Sequence, residues 1–415
     1  MTPPFRSPAR RGAALLVVAG LALTAACSPS SDPAPTTAPT SGVPVAPTVN
    51  ELRGPDGTPL VTTTLDAASA AVAAEGEQYS VVVETPATTA SGLAAVALGV
   101  QPDGTALVAG VPADFVRDDG TLSGDATFGG YAEGTLAEVS RATALPVAAY
   151  TADGTTVWVE SLTGDVANGR WRIRATSDDG GVRTLAESKE LGVPGNVHPA
   201  IATPRPVIFD GRVYFNAAYV EQDGTSRVQI LSVALGGGKV RVEVRGATTP
   251  VVFDGGVAVL RLGDALTEDG AQNPIDTVGV SVLLEGRYQE IVSVPASPNP
   301  SAQGTISDLA GGGGTLTFTR QGVLYVVDAL EGTAVAVSSP ADATFVGVQQ
   351  CGSLVTWSSL GKESGQLVYD VDGGELWRVE DPAVTGRSLC SDDVLAWDRA
   401  DGAQSPTVTL VTRWA

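Results

Sequence analysis

After residue 70 no stretch keeps a 3.6-residue apolar period for the length of a helix. Instead, runs of five to eight residues rich in Val, Thr, Leu and aromatics alternate with polar breaks, as in YSVVVET (79–85), TTVWVES (155–161), RVYFNAAYV (212–220), GVLYVVDAL (322–330) and TVTLVTR (407–413). Many of the breaks are Asp-Gly pairs: Asp56-Gly57, Asp103-Gly104, Asp153-Gly154, Asp210-Gly211, Asp223-Gly224 and Asp372-Gly373 among them. Asp and Gly reach the positive φ that a tight hairpin demands at little cost, so each pair between apolar runs predicts a turn joining two strands. The pattern therefore predicts an all-β chain.

A longer period lies over the strands. PVIFDGRVYF (206–215) aligns with PVVFDGGVAV (250–259), and VQQCGSLVTW (348–357) with RSLCSDDVLAW (387–397). Each unit divides into four strands; ATFVGVQQ, LVTWSSL, QLVYDVD and ELWRVED follow one another with turns between them. Four antiparallel strands in 40–50 residues mark a β-propeller blade. Sharing residues 51–415 among seven blades gives about 52 residues each, so seven fits best, with six or eight as neighbouring counts. A pair of β-sandwiches is the alternative, and the continuous repeat speaks against it.

Only three strands follow residue 386, in RSLC, DVLAWDR and TVTLVTRWA. A propeller closes to remove its sheet edges, so an N-terminal strand is expected to complete the last blade. PLVTTTL (59–65) is the expected closing strand, ahead of a first full blade at about 66–110. Residues 111–141 fit no blade well and read as an inserted loop or an irregular strand pair.

The N-terminus is of another character. Arg6, Arg10 and Arg11 precede a small-to-apolar run, 12–26, of the length of a secretory h-region and too short to span a membrane comfortably. The run ends in Thr24-Ala25-Ala26-Cys27, which resembles the lipobox of bacterial lipoproteins. That resemblance implies signal cleavage, lipidation of Cys27 and a membrane-held protein on the extracytoplasmic side, exported by either the general or the twin-arginine route. Residues 27–50 (CSPSSDPAPTTAPTSGVPVAPTVN) are Pro, Ser, Thr and Ala with almost no charge, a composition that favours an extended spacer over a packed core.

Charge sharpens the picture. The chain has 46 acidic and 25 basic residues, a formal charge of −21, and loss of the three leader arginines takes it to −24. Nucleic acid is excluded as a partner, because binding it requires a basic footprint. An acidic body also repels anionic headgroups, which leaves the lipid to hold it at the membrane. Only Lys189, Lys239 and Lys362 are lysines, and with the abundant Ala and Gly this points to a GC-rich, actinobacterial-type genome. Leader, lipobox, spacer and Asp-Gly-punctuated blades together resemble a bacterial lipoprotein carrying a TolB-like or WD40-like propeller. The resemblance implies binding or scaffolding in the envelope.

Candidate chemistry is sparse. His198 is the sole histidine, no GxSxG nucleophile elbow is present, and no residue is nominated as catalytic. TADGTTVW (151–158) resembles a sialidase Asp-box only in outline and reads as a hairpin turn. Cys351 and Cys390 hold equivalent places in consecutive repeats, where innermost strands of neighbouring blades run side by side. A disulfide is expected there in an oxidising compartment, two buried thiols being the alternative. Asp118, Asp119 and Asp125, or Glu268, Asp269 and Asp276, offer oxygen ligands to Ca²⁺ but lack EF-hand spacing and read as solvated loops, so no metal or cofactor is expected. Gly311–Gly314 reads as a bend or close backbone approach near the propeller axis. The expectation is a non-enzymatic binder of an envelope protein or extracellular ligand, with 111–141 and 262–277 as contact elements. The alternative is a propeller hydrolase or lyase acting on envelope carbohydrate.

Overall fold

A computed structural model describes residues 52–415, apart from 166–168, 177–179, 189–203, 255, 269, 285–286, 294–305, 362–363 and 401–406. Cys27, the spacer and His198 lie outside the described residues. The Asp-Gly turns form as their chemistry requires: Asp153 and Gly154 have φ of 49° and 72°, and Asp210 and Gly211 have 46° and 68°, so both central residues of each turn are left-handed. Hairpins so joined stack into seven four-stranded antiparallel sheets set in a ring.

Reading strands a to d from the axis outward, blade 1 is Ala94–Val100, Ala106–Val111, Ala126–Ala132 and Thr135–Ala142. Blade 2 is Leu145–Ala152, Thr155–Ser161, Trp171–Thr176 and Val182–Glu187, and blade 3 is Val207–Phe209, Arg212–Val220, Ser226–Ala234 and Arg241–Arg245. Blade 4 comprises Ala247–Phe253, Gly256–Leu262, Thr277–Leu284 and Arg287–Ser293; blade 5 comprises Ser307–Gly312, Thr315–Arg320, Val323–Asp328 and Thr333–Ser338. Blade 6 follows with Ala343–Cys351, Leu354–Gly361, Gly365–Asp370 and Glu375–Val379. Blade 7 takes Val384–Ser391, Val394–Ala400 and Thr407–Trp414 from the end of the chain and Tyr79–Thr85 from its beginning.

An N-terminal strand thus closes the last blade, but it is 79–85 and not 59–65. Tyr79 pairs with Trp414 and Thr85 with Thr409, antiparallel. Val61–Asp66 instead adds a fifth, parallel strand to the outside of blade 5, and Ala71–Val72 does the same for blade 6. Both segments are rich in Val and Thr, so β-propensity alone does not separate them; the closing position goes to the one that arrives antiparallel to Thr407–Trp414. Of the two readings of 111–141, the irregular strand pair holds, and it belongs to blade 1 with a register shift at Phe128/Gly129. These residues contain strand c and most of strand d of blade 1, and only 112–125 is loop. The Gly-Gly-Tyr content of strand c (Gly129, Gly130, Tyr131) hides its alternation.

Residues 52–85 form a strap around the rim. Arg53 exchanges backbone hydrogen bonds with Ser293 of blade 4, and the chain then crosses blades 5 and 6 before entering blade 7. Leu52 and Leu60 pack into the apolar cluster between blades 4 and 5, Ala67 into that between 5 and 6, and Ala73 into that between 6 and 7.

Apolar residues are divided among all the inter-blade gaps. Phe128 and Trp158 stack between blades 1 and 2, Phe215 fills the gap between 2 and 3, Phe318 that between 4 and 5, Trp357 that between 5 and 6, and Trp397 that between 6 and 7. Val394, Ala396 and Val411 meet Ala97, Ala106 and Val108 to seal blade 7 against blade 1. Trp158, Phe215, Phe318, Trp357 and Trp397 are each the fourth residue of strand b in their blade. Truncating one of these tryptophans is expected to cost about 3–5 kcal/mol.

Candidate functional site

Because neighbouring strands are antiparallel, all a–b and c–d turns fall on one face of the ring, while the b–c and d–a connections fall on the other. The tight Asp-Gly turns 153–154 and 210–211 belong to the first face. The long loops 112–125 and 263–276, the loop parts of 111–141 and 262–277, both belong to the second.

The innermost strands are bent, and in blades 2, 4, 5 and 7 the bend lies in the half of the strand nearer that second face. Register shifts by a bulge at Ala97/Gly99, Pro146/Ala148, Thr248/Val251, Ser307/Ala310, Val346/Gln349 and Val384/Ser388. In blades 4 to 7 each bulge contains a residue at positive φ: Thr249 (51°), Asp308 (53°), Gly347 (67°) and Gly386 (95°). The bulges touch around the bore, since a Cβ on Gly347 would sit 2.2 Å from the Gly386 carbonyl oxygen. Glycine is required there. A β-branched residue such as Thr249 at positive φ is rare, and such backbone costs about 1–3 kcal/mol. Bulges of this kind re-aim side chains beside functional sites.

Asp308 sits in the blade 5 bulge and is only partly exposed. Burial pushes its carboxyl above the usual carboxylate range, and the positive field of Arg205 and a 3.5 Å hydrogen bond from Thr319 Oγ1 oppose the shift without cancelling it. A second carboxyl, Asp398 on strand b of blade 7, is also pushed up by burial, against the Arg387 guanidinium 3.5 Å away and a 2.6 Å hydrogen bond from Thr409. Arg387 itself lies in the blade 7 bulge and donates to the Ala97 carbonyl of blade 1, so this pair spans the joint between the last and first blades. Asp381, in the blade 6 to 7 connection, receives the Trp397 indole N–H at 3.2 Å and lies 2.7 Å from Arg399 Nε. These carboxylates and arginines were not found from sequence. No motif surrounds them, and their meeting depends on strand register and blade order.

The sequence-nominated residues fare differently. Cys351 and Cys390 end the innermost strands of blades 6 and 7, and their sulfurs are bonded, with Cα atoms 6.0 Å apart. In the chain-entropy picture a link closing about 40 residues contributes roughly 3–4 kcal/mol. Gly311–Gly314 is a close approach: a Cβ on Gly312 would meet the Gly352 backbone at 2.9 Å, and the Gly313 carbonyl accepts from Asp254 N at 2.7 Å. Asp119 is engaged by Thr121, which lowers its pKa, and Asp125 accepts from Thr143 at 2.7 Å. Asp276 accepts from Ala265 N at 2.9 Å. Among the described residues no three His, Cys, Asp or Glu side chains are gathered to hold a metal.

On the opposite face a cleft of about 600 Å³ opens between blades 1 and 2, lined by Gln101, Thr105, Phe128, Thr155, Thr156 and Thr176 among other described residues.

No protein-family model matches the chain, and no curated protein sequence does. Among solved structures it is similar to a puromycin hydrolase S511A mutant complexed with PGG, at TM-score 0.50 and 18% identity over 77% of this chain and 52% of that one. It is similar too to a puromycin-hydrolyzing peptidase of Mycobacterium tuberculosis, at TM-score 0.50 and 14% identity over 82% and 55%. An oligogalacturonate lyase in complex with manganese aligns at TM-score 0.47 and 11% identity over 83% and 99%. The chain thus spans about half the length of the two peptidases. At these identities the likeness is one of fold, and that fold is the seven-bladed β-propeller.

Proposed function

We propose that the bulge-lined mouth of the bore is a substrate site and that the protein is a hydrolase or lyase acting on envelope carbohydrate, with Asp308 as its general acid. The observation that carries this reading is a carboxyl with a raised pKa, on strained backbone, at the bore end of a blade. Such a group holds its proton to higher pH than an ordinary aspartate does, which is the direction a proton donor to a leaving oxygen needs. The two neighbours at TM-score 0.50 carry hydrolase names, which supports an enzyme over a passive scaffold without assigning a substrate. The loops 112–125 and 263–276 would flank the substrate, since recognition concentrates on loops carried by a rigid frame.

The test is turnover of soluble envelope polysaccharides, read by reducing-end release and by absorbance of unsaturated products. Wild-type protein should act on at least one of them. Asp308→Asn should lower the rate by about 100-fold or more while the circular dichroism spectrum is unchanged. Equal activity in the variant would refute the assignment of Asp308.

A second reading, non-enzymatic binding of an envelope protein or extracellular ligand, draws on one observation: the long loops 112–125 and 263–276 lie on the same face of a rigid ring. Saturable binding with no turnover across the whole panel would favour it, and crosslinking in intact cells would then identify the neighbour.

Under either reading we propose that Cys27 carries the lipid that holds the protein at the extracytoplasmic side of the cell membrane. Cys27→Ala should leave the protein in the medium or unprocessed. Unchanged membrane retention, measured by fractionation, would contradict the lipid anchor.

A further inference from the structure

The fourth residue of strand b packs against the preceding blade, and alternation in a strand sends the sixth residue into the same gap, nearer the loop-bearing face. In blades 2, 4, 5 and 7 that sixth position holds a charge: Glu160, Arg261, Arg320 and Arg399. Three of the four have an evident counterpart. Glu160 takes a 2.5 Å hydrogen bond from Arg172 Nε and another, at 2.8 Å, from the Trp158 indole. Arg399 lies 2.7 Å from Asp381, and the Arg261 guanidinium lies over the Tyr288 ring at 6.0 Å.

Arg320 is the exception. It is 3% exposed, and its Nε and Nη1 have no hydrogen-bond partner among the described residues. Burial pulls the guanidinium below its ordinary pKa, opposed by Tyr325, with no carboxylate among the described residues acting on it. A guanidinium does not shed its charge to escape this, and a buried cation with no partner among the described residues is destabilising. Arg320 stands at the end of its strand, beside the Gln321-Gly322 turn, where the gap between blades 4 and 5 meets the loop-bearing face.

We propose that this gap is an anion site in which Arg320 receives a small carboxylate or phosphate group. Arg320 is on strand b, whose apolar side packs in the inter-blade gap, and Asp308 is on the innermost strand, so the proposal stands whether or not Asp308 is catalytic. The guanidinium fork suits either planar carboxylate or tetrahedral phosphate oxygens.

The test is the thermal midpoint of purified full-length protein titrated with sodium phosphate or sodium acetate, each at ionic strength matched with sodium chloride. The wild type should show a saturable rise with phosphate or acetate and none with chloride, and the arm that responds names the group. Arg320→Met should be at least as stable as wild type in chloride, because an unpaired buried charge is gone, and should lose the response. Arg320→Lys should shift half-saturation by about tenfold or more, since Lys keeps the charge and loses the fork. Arg413→Met, which breaks a pair with Asp393 elsewhere, should respond as the wild type does. The proposal is overturned if no anion gives a saturable rise, if Arg320→Met responds like wild type, or if Arg320→Met is destabilised in chloride, which would mark a structural role.

Discussion

At residue scale, Asp308 combines two costs, a left-handed backbone and a buried carboxyl, and the second makes stability depend on pH. Its pKa in the folded protein lies above the ordinary aspartate value of 3.8, so the folded state holds this proton more tightly than the unfolded chain does. Its contribution is therefore largest in acid. It declines as pH rises from about 3.8 through the raised value, and then levels off. Asp308→Asn removes this dependence, and Asn also tolerates positive φ. The difference in urea midpoint, wild type minus variant, should fall with rising pH across that window, leaving the variant at least as stable at neutrality. A difference that grows with pH would show that the carboxylate is stabilised in the fold. The bore residues had no legible signal, because a bulge is a property of pairing and not of composition. In TISDLAG nothing marks Asp308 as the residue that leaves the ladder, and Arg205 reaches it only through the ring. The cysteine pair was legible for the opposite reason. Equivalent places in consecutive repeats become neighbouring places in a ring.

At the scale of elements, strands were legible wherever alternation was clean and a left-handed turn followed. Blades 3, 4, 6 and 7 fall where the repeats aligned. Partnership was not legible: 59–65 and 79–85 carry the same propensity, but one became a parallel strap strand and the other closed the ring. The distinction has a measurable consequence. A chain beginning at Glu75 loses the strap with Leu52, Leu60, Ala67 and Ala73 but keeps the closing strand. It should still unfold in one cooperative transition, with stability lowered on the order of 3–6 kcal/mol, chiefly for the two leucines. A chain beginning at Pro86 exposes the edge of Thr407–Trp414 and should lose cooperativity and aggregate. Equilibrium urea unfolding by tryptophan fluorescence reads both. If the shorter deletion alone abolished the transition, closure by Tyr79–Thr85 would be insufficient.

At the scale of the whole molecule, one ring offers two unlike faces. The Asp-Gly turns 153–154 and 210–211 lie on the first, beside the cleft between blades 1 and 2; the long loops, strained bulges and carboxyls with raised pKa gather on the second. The account rests on the second face being the working one. The most direct test is amide hydrogen exchange of the full chain with and without a soluble digest of envelope carbohydrate from the source cells. The account predicts protection concentrated in 112–125, 263–276 and Ser307–Gly312. Protection confined to the turns at 101–105, 132–135 and 153–156, or spread over the strap with none at the bore mouth, would contradict it.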